Sequence, residues 1–136
     1  MIKSFFSYGT LQSPRVMRVV TGREFSGIKA LLPGYALFRV RGAEYPGIIP
    51  AAGGGLVKGV LYANIDEDLF KILDDFEGDQ YERIKVSVVL ESDHSTVETY
   101  AYRIREERRG VLSTEKWDLE HFLKEEIDGF MRGLPK

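Results

Sequence analysis

The spacing of apolar positions changes several times along the chain. IKSFFS, Ile2 to Ser7, is a short aromatic and apolar run of buried-strand character, and Tyr8-Gly9-Thr10-Leu11 breaks it. Ser13 followed by Pro14 supplies a capping hydroxyl and a pre-set φ, so a short helix is predicted to run from there to about Gly22. Between Ile28 and Ala63, short apolar runs alternate with PG, RGAEYPG and AAGGG, which predicts a meander of antiparallel strands with LVKGVLYANI the clearest. Asp66 then caps a helix whose Leu69, Phe70, Leu73 and Phe76 keep helical spacing, Ile72 widens its face, and Gly78 is its natural C′ residue. YERIKVSVVL and VETYAYRIR alternate as two further strands joined by the polar turn ESDHST. REERRG reads as a solvated loop. A terminal helix is placed at about 113 to 132, with Asp118 as its cap and Leu119, Phe122, Leu123, Ile127 and Phe130 on one face. Strands outnumber helices and lie mainly in hairpins. The expected class is therefore α+β, with a curved or closed, mostly antiparallel sheet, two or three flanking helices and an open mouth suited to a small ligand.

Composition narrows this picture. With 136 residues, 43% hydrophobic and 12% aromatic, the whole chain (1–136) is expected to fold as a single domain with a real core. A net charge of −2 and a pI near 5.7 remove the positive field on which nucleic-acid binding usually depends. The absence of cysteine excludes disulfides, thiolate nucleophiles and cysteine metal sites. The N-terminal apolar run is too short for a signal peptide and no segment approaches a membrane span, so a complete cytoplasmic protein with no membrane partner is expected.

Several candidate motifs fail on detail. GREFSGIK, Gly22 to Lys29, imitates a phosphate-binding loop, but Ile28 separates the second glycine from the lysine and a strand follows where a helix is required. AAGGG lacks the lysine and the helix, and reads as a hairpin tip. His94 and His121 stand far apart without zinc-ligand spacing, so no metal site is expected. Ser7 and Thr10 have no adjacent base to activate them, and Trp117 reads as a packing anchor.

One local misfit remains. LDDFEGDQYERIKV places Asp74, Asp75 and Glu77 at a helix C-terminus, where the backbone dipole disfavours carboxylates by a few tenths to about 1 kcal/mol each. By spacing alone this is a solvated helix end, and Gly9 is a turn glycine. Taken in order with Pro33-Gly34, Tyr45-Pro46-Gly47, Gly59-Val60-Leu61-Tyr62 and Tyr81-Glu82-Arg83, however, Tyr8-Gly9-Thr10-Leu11 and Leu73-Asp74-Asp75-Phe76-Glu77-Gly78 resemble the γ-glutamylcyclotransferase-like superfamily. The YGTL form is most similar to its γ-glutamylamine cyclotransferase branch. The resemblance runs from about Phe5 to Arg103, and the tail from Glu106 onward, including the terminal helix, carries no family signature.

The resemblance implies a small β-barrel with surrounding helices. It also implies a cofactor-independent cyclisation in which the α-amine of a small γ-glutamyl substrate attacks its own γ-carbonyl, releasing 5-oxoproline and an amine or amino acid. Glu77 matches the family's catalytic glutamate, a general base that later acts as general acid. The Gly9-Thr10-Leu11 turn opens toward a helix N-terminus, where unpaired N–H groups suit the α-carboxylate or polarise the γ-carbonyl. Tyr8 and Tyr81 are placed to wall the pocket and hydrogen-bond substrate, while Tyr45 and Tyr102 have weaker claims as strand tyrosines. Asp74 and Asp75 are expected to face water or cap neighbouring groups. The competing readings are a non-catalytic barrel that binds a small metabolite or serves as a scaffold, which retention of Glu77 argues against, and a single-strand nucleic-acid barrel, which the acidic balance disfavours. Composition and motifs leave the oligomeric state and the identity of the leaving group open.

Overall fold

The computed structural model describes residues 3–134. The strands are β1 (Lys3–Ser7), β2 (Gly27–Pro33), β3 (Tyr35–Arg39), β4 (Pro46–Pro50), β5 (Leu56–Ile65), β6 (Tyr81–Leu90) and β7 (Thr96–Ile104). Five of them form a closed barrel in the order β1-β5-β2-β6-β7, antiparallel except where Phe5 of β1 meets Tyr100 of β7 in parallel and closes it. Closure removes the unpaired edges that an open sheet would expose. Ile2, which the sequence assigns to the first strand, lies outside the described residues.

The predicted meander between Ile28 and Ala63 is replaced by an excursion. β2 and β5 pair with each other along Gly27–Pro33, while β3 and β4 leave the barrel as a separate two-stranded sheet. Glycines make this possible: Gly34 has φ +86°, and its N–H donates to the Gly55 carbonyl at 2.9 Å while its own carbonyl accepts from Ala51 at 3.0 Å. The chain therefore departs and returns at one point, with little loop to order.

Strand alternation sorts the core into two layers. Phe6, Leu32, Val57, Leu61, Val88 and Ala101 fill the barrel, with Ile48 of β4 among them. Phe5, Tyr62, Ile65 and Tyr102 face the other way and meet the helices α1 (Pro14–Thr21), through Val16 and Met17, and α2 (Glu67–Glu77), through Leu69, Phe70 and Leu73. Each helix starts where its cap predicts: Ser13 accepts from the Val16 N–H, and Asp66 from the Leu69 N–H.

The C-terminal part departs from expectation in two places. REERRG lies in an exposed 3-10 turn, Glu106–Val111, and the terminal helix begins at Leu119 instead of about 113. Residues 111–115 are spent on β3: Arg41 N–H donates to the Val111 carbonyl at 2.8 Å, Ser113 N–H to Arg39 at 2.8 Å, and Arg39 N–H to Glu115 at 2.9 Å. An extended edge segment cannot also be helical. Trp117 then donates to the Glu44 carbonyl at 2.8 Å, and Asp118 caps the helix that follows. This helix has three consecutive parts, α3 (Leu119–His121), a π-wound stretch (Phe122–Glu126) and α4 (Ile127–Arg132). Arg39 clamps its middle with two parallel bonds to Glu126 at 2.9 and 3.0 Å, a half-buried bidentate pair. Among the described residues no helix is long and apolar enough to cross a membrane.

The barrel is closed so tightly at Gly59 that a Cβ there would lie 2.4 Å from the Ser7 carbonyl oxygen and 2.5 Å from the Phe6 ring. Gly59→Ala must push β5 away from β1, and is expected to lower the unfolding free energy by about 1–3 kcal/mol. Urea midpoints of parent and variant check this. An unchanged midpoint would mean that the two strands can separate without loss.

Candidate active site

β1 and β7 end, and β6 begins, at the same end of the barrel, because the first two are parallel and the third is antiparallel to β7. A cavity of about 330 Å³ lies there. All six residues singled out in the sequence border it: Tyr8, Gly9, Thr10 and Leu11 from the stretch after β1, Glu77 from the end of α2, and Tyr81 from the start of β6. Tyr45, Gln80, Tyr102 and Phe130 border it as well.

The Gly9-Thr10-Leu11 turn differs from expectation in what it belongs to. It forms its own 3-10 turn, Thr10–Gln12, and is not the N-terminus of α1, which starts later behind its Ser13 cap. The amide N–H groups of Gly9, Thr10 and Leu11 have no acceptor among the described residues, as the first donors of such a turn do not. The donors thus come from a short backbone nest and not from a long helix dipole. Two hydrogen bonds and a close approach hold the nest. Gln12 Nε2 donates back to the Tyr8 carbonyl at 2.7 Å, the Tyr62 hydroxyl donates to the Leu11 carbonyl at 2.6 Å, and a Cβ on Gly9 would come within 3.2 Å of the Pro46 ring.

The tyrosines are committed to the protein. Tyr8 donates to the Tyr102 carbonyl, Tyr81 to the Pro46 carbonyl and Tyr102 to Asp74 Oδ1, each at 2.6 Å. Burial, the largest cause, raises all three phenols above their usual range and keeps them neutral. Tyr8 and Tyr81 therefore wall the cavity as expected, but their hydroxyl protons are not available to a ligand. Tyr45 is different. Its hydroxyl donates to no described residue, so it supplies the free phenol that the sequence reading assigned to Tyr8 and Tyr81. Its place directly before Pro46, in the YPG stretch, is the signal that could have promoted it. Gln80, two residues past Gly78, was not foreseen. Its Oε1 is buried without a partner beside the cavity, an orphan acceptor of the kind that a ligand or water satisfies.

Glu77 closes the arrangement. Gly78 adopts φ +82° and ψ −172°, a region open essentially to glycine alone, and so turns the chain sharply after the last helical residue. The Glu77 carboxylate accepts no hydrogen bond from the described residues. Its side chain is only half-buried by surface area, since the cavity it faces is wide enough for water, but protein surrounds it on the remaining sides. This desolvation, and secondarily the Asp74 carboxylate, raises its pKa to about 8. Asp74 is oriented by the Tyr102 hydroxyl, which donates to it, and by Arg83, 3.7 Å away. Asp75 is exposed at the rim. The three acids at the helix end thus have separate uses: one is a hydrogen-bond acceptor, one lies at the mouth and one points into the pocket.

This arrangement sets a poised, largely protonated carboxyl group beside a cluster of unpaired amide donors in a pocket walled by aromatic rings. It can exchange a proton near neutral pH and can hold an anion without a cation. Among the described residues no cluster of histidine, aspartate and glutamate is placed to hold a metal ion. His121 lies outside the pocket, 3.8 Å from Glu126.

Residues 5–119 match the family model described as γ-glutamyl cyclotransferase, AIG2-like. AIG2-like protein C of Arabidopsis thaliana is 35% identical over 133 residues, 96% of this chain and 75% of that protein. An Arabidopsis thaliana protein solved in solution superposes with a TM-score of 0.74 at 28% identity, over 96% of this chain and 87% of that one. A solved γ-glutamyl cyclotransferase superposes with a TM-score of 0.66 at 17% identity, over 77% and 68%, a likeness of fold alone.

The raised pKa of Glu77 has a cost in stability. Between about pH 4.5 and pH 8 the unfolded chain gives up this proton while the folded chain keeps it, so its contribution to stability falls as pH rises through that window. Glu77→Gln removes the titration. The variant is expected to gain on the parent in urea midpoint from pH 5 to pH 8.5, and a constant difference between the two across that range would show that Glu77 is not desolvated.

Proposed function

Because the chain belongs to the γ-glutamyl cyclotransferase, AIG2-like family, we propose that it cyclises a small γ-glutamyl amine or γ-glutamyl amino acid, releasing 5-oxoproline and the free amine. The observation that carries this reading is the inward-facing, poised Glu77 sharing one cavity with the unpaired amides of Gly9 to Leu11.

The substrate needs three things. Its α-carboxylate requires donors, and the Gly9–Leu11 nest offers unpaired amides at the cavity wall. Its α-ammonium requires a base, and the Glu77 carboxylate accepts the proton, because a cation bound beside it favours the charged form of the acid. Its γ-carbonyl must meet the freed amine, and the aromatic walls fold the chain so that nitrogen and carbon approach within one small space.

The nitrogen lone pair then forms the new C–N bond, and negative charge moves to the γ-oxygen. Tyr45, with its unused hydroxyl, and the nest are the donors available to that oxygen. As the charge collapses back, the bond to the leaving nitrogen breaks and Glu77 returns its proton there. The ring nitrogen loses its remaining extra proton, the product amine takes it up, and no water is consumed. One carboxyl group serves both transfers, so a pKa near the working pH suits it better than the ordinary 4.5.

Incubation with γ-glutamyl amines, γ-glutamyl dipeptides and glutathione, with 5-oxoproline as the readout, tests the reaction. Glu77→Gln is expected to lower turnover by about 10²–10⁴-fold, the usual worth of a positioned acid/base. The parent kcat/KM should rise with pH along a limb near 8, and Asp74→Asn should move that limb to lower pH, because the Asp74 charge helps to hold the Glu77 proton. A Glu77→Gln variant as active as the parent would remove Glu77 from the mechanism.

A further inference from the structure

The cavity has walls of two kinds. One is polar, from the Gly9–Leu11 nest and Glu77; the other is apolar, from Phe76 at the end of α2 and from Phe130 and Leu134 of the C-terminal tail. Phe130 meets Phe76 edge-on at 6.4 Å and Phe122 at 5.5 Å. Its position depends on contacts far from the cavity. Arg39 grips Glu126, Phe122 is buried against Trp117 with ring centroids 5.7 Å apart, and the π-wound turn between them sets which face α4 presents. Phe130 and Leu134 also lie beyond the family-matched residues, which end at Leu119. This wall is therefore contributed by a part of the chain outside the residues that the family model matches.

Charge sharpens the contrast. Among the described residues that border the cavity none is cationic, whereas Asp75 and Glu77 are acids. The unpaired amides are the donor cluster that fits a ligand carboxylate, and in the proposed reaction the glutamyl α-carboxylate takes them while the Tyr45 hydroxyl serves the γ-oxygen. A second carboxylate, carried by the leaving group, would lie against apolar rings beside the Asp75 charge, with no cation to pair it. An apolar substituent would instead bury its surface on Phe76, Phe130 and Leu134.

We propose that the C-terminal helix is the specificity wall of this site, and that it selects a leaving amine whose substituent is apolar and carries no carboxylate. This rests on the cyclisation reading above and names its substrate class. Phe130 is the central specificity-determining residue, and Arg39 and Glu126 are positioning residues that hold it in place.

Three substrates with one common head test the proposal: γ-glutamyl-isoamylamine, γ-glutamyl-leucine and γ-glutamyl-methylamine. The first two differ only by the leaving group's carboxylate, and the third lacks the apolar substituent. The parent is expected to release 5-oxoproline from the isoamylamine compound with a kcat/KM about tenfold or more above either of the others, the usual range for discrimination by an apolar pocket. In Phe130→Ala, and independently in Leu134→Ala, the ratio of isoamylamine to methylamine should fall toward one, with thermal melting used to show that each variant is folded. Equal turnover of the leucine and isoamylamine compounds by the parent, or a parallel loss on both amines in the variants, would overturn the proposal. If none of the three yields 5-oxoproline, the cyclisation reading fails separately. Calorimetric titration with the same compounds then decides about the wall: tighter binding of the isoamylamine compound, lost in Phe130→Ala, sustains it, and equal or absent binding ends it.

Discussion

The short strand β1 carries the architecture. It is held between β5 and β7, it closes the barrel through a parallel contact at Phe5 and Tyr100, and its Phe5 and Phe6 are buried on opposite faces. A strand buried on both sides has no freedom of register, because a slip of one residue would exchange its two faces. Its end is therefore fixed, and so is the place where Tyr8 to Leu11 leave the barrel. The parallel pairing with β7 brings the end of that strand to the same rim, and β6, antiparallel to β7, begins there. The site is thus a consequence of closure: the nest, Tyr81 and Tyr102 meet because three strands terminate or start at one end.

Hydrogen bonds then turn this proximity into a rigid frame. The Tyr8 hydroxyl ties β1 to β7, the Tyr81 hydroxyl ties β6 to β4, and Tyr102 ties β7 to α2 through Asp74. Each leaves a buried phenol satisfied, which unpaired would cost about 1–3 kcal/mol. The tyrosines therefore act as struts, and the groups at the cavity left without a partner among the described residues are three backbone amides, the Tyr45 hydroxyl, the Gln80 amide oxygen and the Glu77 carboxylate. Unmet hydrogen-bonding capacity separates the frame from the site more clearly than residue type does.

This difference also explains what was legible in the sequence. Local signals were reliable where local forces decide: Ser13 and Asp66 cap the helices they were read to cap, and the alternation of YERIKVSVVL and VETYAYRIR gives a paired hairpin. Glu77 and the turn after β1 were singled out through motif resemblance, with the misplaced acids at the helix end as a physical hint, and the fold brings them to one cavity. What stayed hidden depends on contacts distant in sequence. The pairing of β2 with β5 across an excursion, and the recruitment of 111–115 as an edge segment on β3, cannot be read from apolar spacing. The same holds for the tyrosines, since whether a phenol is a strut or a free donor depends on which carbonyl the fold places 2.6 Å away.

The acids of LDDFEGDQ show why such a site is hard to assemble by local rules alone. Placing carboxylates at a helix C-terminus is unfavourable, and desolvating one of them more so, yet the cost is spread over groups that limit it. Asp74 is paired with Tyr102 and Arg83, Asp75 keeps contact with water, and Glu77 is the acid whose pKa burial raises. Arg83 is in turn held against the ring of Phe70, 4.4 Å from its centroid, on the same helix that carries the acids. The electrostatics of the site thus extend outward through a strand arginine to the core face of α2, which ties the proton affinity of Glu77 to the packing of the helix that presents it.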